Sequence, residues 1–104
     1  MQYTDDIAKI FIRAARLDFQ DAEVLNIRGS VVDMSEIIAA IEAAEPSAKG
    51  KITFEPTPLA LPEGVDDTAL RSLLGVLPDT PLYDGVKATI EFFKQALVDG
   101  RIIL

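Results

Sequence analysis

Residues Glu23 to Glu55 read EVLNIRGSVVDMSEIIAAIEAAEPSAKGKITFE, and the fold turns on how this stretch is divided. Its opening, Glu23-Val24-Leu25-Asn26-Ile27, is a short and nearly continuous apolar run. Such a run suits a strand covered on both faces, as in parallel pairing. Gly29 and Ser30 close it. Asp33 with Glu36 three residues on makes a capping box. Met34, Ile37, Ile38, Ile41 and Ala44 then form one helical stripe, which Pro46 stops. Lys51-Ile52-Thr53-Phe54-Glu55 alternates as a strand does. Strand, helix and strand together predict a parallel, right-handed crossover.

Working outward, Ile7, Ile10, Phe11, Ala14 and Leu17 recur at helical spacing, with Lys9, Arg13 and Arg16 on the other face. A helix is predicted over about 6–17, with Asp5 or Asp6 as its N-cap. Asp18 to Ala22 reads as a loop. On the far side, Pro56, Pro58 and Pro62 stiffen an irregular connection up to Gly64. Asp66 is placed to cap a short helix carrying Leu70, Leu73 and Leu74, ended by Gly75. Thr80 and Pro81 are placed to open a last helix, with Leu82, Val86, Ile90, Phe93 and Leu97 on its buried face. The expectation is an α/β fold: about four helices with a small parallel sheet of two or three strands, in a single domain spanning 1–104.

Composition removes several function classes. The net charge of −7 disfavours nucleic acid and anionic membranes, because phosphates are repelled. With no cysteine there is no disulfide and no thiol chemistry, and with no histidine there is no Ser-His triad. No apolar window is long enough to span a membrane, and the start at Met1 to Asp6 does not read as a signal peptide, so a cytoplasmic protein is expected. The paired acids Asp5-Asp6 and Asp66-Asp67 read as helix caps, no metal site is visible, and no G-x-G-x-x-G loop follows a strand. Asp33-Met34-Ser35 invites a carrier protein with a prosthetic arm, which the expected parallel strands argue against.

Tyr83 and Lys87 have the Tyr-x-x-x-Lys spacing by which short-chain dehydrogenases move a proton. A spacing this short recurs freely. At the start of a capped helix, Tyr83 reads as a core-edge ring and Lys87 as a solvated charge.

Three further patterns carry a resemblance. They are Tyr-x-Asp-Asp-φ-Ala at Tyr3 to Ala8 (φ apolar), Asn-Ile-x-Gly at Asn26 to Gly29, and Leu-Gly-x-x-Pro-x-Thr-x-Leu-x-x-Gly at Leu74 to Gly85. In this order, across nearly the whole chain, they resemble the carboxy-terminal third of the NAD-dependent epimerase/dehydratase family, the extended short-chain dehydrogenase/reductases. The resemblance implies a substrate-binding lobe. The dinucleotide loop and the catalytic Ser/Thr, Tyr and Lys of such enzymes belong to an amino-terminal part upstream of everything here. It follows that the isolated chain is inactive and binds no cofactor, with NAD or NADP expected only for a full-length relative. Tyr83 and Lys87 then fall on structural positions. Many family members place an arginine for the substrate's diphosphate shortly before the penultimate helix. This chain has Glu63 in that stretch, which points to a substrate without a nucleotide, such as a small hydroxy or keto sugar acid. Arg28, Ser30 and Arg71 are the polar candidates for substrate contact. Their plainer readings are a covered strand end, a turn, and an ion pair with Asp67.

An alternative follows from the missing part. The apolar surface that would cover it is left free, making the chain a non-enzymatic, self-associating module, a dimer held through the first helix.

Overall fold

The computed structural model describes residues 1–20, 22–57, 60 and 62–103. Among them lie four α-helices: α1 (Thr4–Ala15), α2 (Met34–Ala44), α3 (Thr68–Leu74) and α4 (Leu82–Val98), with one 3-10 turn at Pro46–Ala48. Readings at Asp21, Pro58, Leu59 and Leu61 fall outside the described residues.

The expected parallel sheet is absent: no strand occurs among the described residues, so the architecture is all-helical rather than α/β. The two runs read as strands belong to different compact units, Met1–Val31 with Pro58–Thr80 and Val32–Thr57 with Pro81–Leu104. Glu23 to Ile27 is also not covered on both sides. Leu25 and Ile27 pack against the core while Val24 is 99 % exposed. Of Lys51 to Glu55, only Ile52 is even half-buried. A strand persists only where a neighbour completes its ladder, and a two-stranded sheet is marginal even when it forms.

The first unit holds α1 and α3. Ile10, Leu70 and Leu77 are its buried core, with Leu25, Ile27 and Leu74 packed around them. Side chains fasten the irregular segments to this core. Arg13 donates to the Val76 carbonyl at 2.6 Å and to the Leu74 carbonyl. Gln2 Nε2 donates to the Ile27 carbonyl at 2.6 Å, and Asn26 Nδ2 to the Asp66 carbonyl at 3.2 Å. Gly29 adopts φ +63°, and a Cβ there would lie 2.7 Å from Gln2 Cγ, so this corner admits only glycine comfortably. The helix ends differ from expectation in an instructive way. Asp5 and Asp6 lie inside the first turn of α1, and Tyr3 is the residue that precedes it. Phe11, expected on the buried stripe, is 66 % exposed.

In the second unit, α2 packs against α4. The expected capping box of Asp33 and Glu36 is present, with Glu36 Oε2 accepting from the Asp33 N–H at 2.7 Å. After α2 the chain turns back, and the Gly50 N–H donates to Glu42 Oε1 at 2.8 Å. Lys94 pairs with Glu45 and ties α4 to the end of α2. The buried residues of α4 are small, Gly85 and Ala96, while Phe93 and Leu97 of the expected stripe remain 50 % and 41 % exposed.

The chain exposes 8161 Å². A monomeric protein of this mass exposes about 5,700 Å², and two separate globules of half the mass about 6,900 Å² together. Either comparison leaves a large excess. Among the described residues no large side chain is fully buried, which is the same fact seen from the inside.

Candidate functional site

A small cavity in the first unit is lined by Tyr3 and Asp6 of the α1 start, Ser30 of the Gly29 corner, Asp67 and Arg71 of α3, and Thr80, among others. Two of the three residues expected to meet substrate, Ser30 and Arg71, therefore share one lining. Arg28 does not join them. It lies beside Gly64, where a Cβ would sit 3.6 Å from Arg28 Nε, and its charge acts on Asp66.

The buried acids of the cavity are spoken for. Asp6 is buried and accepts from the Thr80 N–H at 2.6 Å and from Thr80 Oγ1 at 3.0 Å. Asp67 is buried as well; its Oδ2 accepts from Arg71 Nε at 3.0 Å and lies 3.0 Å from Arg71 Nη2 in the same ion pair. That carboxylate holds the Arg71 guanidinium protonated even more firmly than usual. Beside the cavity, Asp66 is driven below its ordinary value because it accepts from both the hydroxyl and the amide of Thr68. Asp66 thus serves the start of α3 from just outside it. No buried side-chain nitrogen or oxygen among the described residues lacks a partner.

Size decides what this arrangement does. The cavity encloses about 40 Å³. A water molecule occupies about 30 Å³ of liquid, whereas pockets for small organic ligands measure about 300–1,000 Å³. The cavity has room for a solvent molecule; a sugar needs further walls. With its two buried acids satisfied internally, it works as a joint that fixes the α1 start, the Gly29 corner and the α3 start. Among the described residues no group of three or more His, Cys, Asp or Glu could hold a metal ion.

Tyr83 and Lys87 sit exposed on the first turns of α4, in the other unit. Sequence reasoning missed two roles. Asp6 was read as a cap and is instead a tether to Thr80. Arg13 was read as a polar-face charge and instead holds two carbonyls of the segment after α3. No local signal marks either, because the partners are 74 and about 60 residues away in the chain. Compared with family models, curated proteins and solved structures, the chain finds no match.

Proposed function

We propose that this chain is the substrate-side lobe of an NAD-dependent epimerase/dehydratase-like oxidoreductase, cytoplasmic and incapable of catalysis alone. The ordered patterns at Tyr3 to Ala8, Asn26 to Gly29 and Leu74 to Gly85 support the family. The observation that carries the incompleteness is the exposed area, about 1,250 Å² above that of two separate self-sufficient globules of half the mass. That excess is of the size one partner contributes to an obligate interface. On this reading the second partner supplies the dinucleotide loop, NAD or NADP, and the catalytic residues. Ser30 and Arg71 contribute one wall of a cavity that closes only in the complex, with Arg28 farther along it. Glu63 disfavours a nucleotide diphosphate, so the substrate is a small hydroxy or keto sugar acid.

The test mixes the chain with the dinucleotide-binding lobe of an epimerase/dehydratase enzyme, expressed separately and cut before its own carboxy-terminal part. Light scattering is expected to show a mixed complex, and the isolated chain is expected to bind no NADH by fluorescence. NADH affinity of the isolated chain would overturn the proposal.

A second reading is favoured by Phe11, 66 % exposed on α1. It makes the chain a non-enzymatic module that covers itself by forming a dimer. A stable homodimer indifferent to the added lobe would decide for it.

A further inference from the structure

Lys9, Ile12 and Arg13 of α1 and Arg16, the residue that ends it, fall at i, i+3, i+4 and i+7 and so share one face. With Val76, Leu77 and Pro78 they line an open groove of about 410 Å³. Its floor is apolar and accessible: Ile12 is 51 % and Val76 88 % exposed. Arg13 is engaged with the carbonyls of Leu74 and Val76. Lys9 and Arg16 are exposed, and among the described residues neither forms an ion pair. A chain of net charge −7 thus sets two uncommitted cations at the two ends of an apolar trough.

We propose that this groove is a docking site for an acidic amphipathic helix. Complementarity of charge picks out the occupant. Seven helical residues separate the two cations by about 10 Å, the spacing of carboxylates seven residues apart on a facing helix. Aliphatic side chains between those carboxylates meet Ile12, Val76 and Leu77, the helix-in-groove mode. A small amphiphile is disfavoured because an open trough cannot enclose it as ligand pockets do. A second α1 is disfavoured because it would set Lys9 and Arg16 against like charges. The site is separate from the cavity at Ser30 and Arg71, and it stands whether or not the chain belongs to an oxidoreductase.

The probe is a labelled synthetic helix of about fifteen residues, with two glutamates seven apart flanking two leucines. Its control carries lysines in place of the glutamates. Fluorescence anisotropy is expected to show binding of the acidic probe alone, weakening about tenfold as salt rises into the screening range. The double variant Lys9→Glu, Arg16→Glu, with helicity checked by circular dichroism, is expected to reverse the preference and take the lysine probe. Three results overturn the proposal. One is equal binding of both probes. Another is no binding of the acidic probe at millimolar concentration. The last is wild-type chain that self-associates through this face, by sedimentation, in place of taking the probe.

Discussion

Asp6 shows how much one side chain does in a sparsely packed chain. It is buried and spends both carboxylate oxygens on Thr80. Asp6→Ala leaves the Thr80 N–H without its acceptor, which costs about 1–3 kcal/mol when such a group is buried. Asp6→Asn keeps one carbonyl-type oxygen for that N–H and is expected to recover most of the loss. Urea unfolding of the two variants measures the difference. Glu45 supplies a test in pH. Hydrogen bonds from Lys94 and then Ser47 lower its carboxyl from 4.5 to about 2. Because the folded value lies below the unfolded one, its contribution to stability is complete above pH 4.5 and fades as pH falls towards 2. A carboxyl NMR titration is expected to find the low midpoint, and Lys94→Met to return it towards the ordinary value. At this scale the sequence was half legible. The cap expected at Asp66 falls one residue away: Asp67 is the residue that precedes α3, while Asp66 accepts from Thr68 two residues on, so the aspartate does serve the local backbone. At Asp6 the same residue type serves a distant partner that no neighbouring letter announces.

At the scale of elements, helices were readable and strands were not. The apolar stripe of α2 and the Gly75 stop of α3 are properties of a few adjacent turns, and the structure places both helices there. The reading of Glu23 to Ile27 as a strand required something the letters do not contain, a second run lying beside it. Leu25 and Ile27 satisfied their apolar need against Ile10 and Leu70 instead, and the ladder never formed. Arg13 is the element-scale counterpart of Asp6. It bridges α1 to the carbonyls at the end of α3 and just beyond. Arg13→Ala is expected to destabilise the first unit by about 1–2 kcal/mol. Amide exchange at Gly75, which donates to the Arg71 carbonyl at 2.8 Å, is expected to accelerate in that variant while exchange in α4 stays unchanged. Uniform acceleration would mean that the bridge is not local to α3.

For the molecule as a whole, area is the governing quantity. Folding that leaves Phe11, Val24, Val76 and Ile103 in water gains little from apolar burial. The isolated chain is expected to bind a hydrophobic dye such as ANS and to unfold in urea with a slope well below that of a compact domain of 104 residues. A sharp, steep transition without dye binding would show that the chain completes itself. The candidate site was legible to the same degree. Ser30 and Arg71 do share a lining, but whether a lining is a binding cavity depends on enclosed volume, which no pattern of letters encodes.

The interleaving of the two units bears on how the polypeptide is made. Each takes one segment from the first half of the chain and one from the second. A ribosome that has released only the first 57 residues has therefore delivered neither unit complete. Ile10 emerges first and must wait for Leu70 and Leu77 before it is sheltered. During synthesis the greasy side of α1 is thus open to chaperones and to neighbouring nascent chains until α3 and the segment after it have followed.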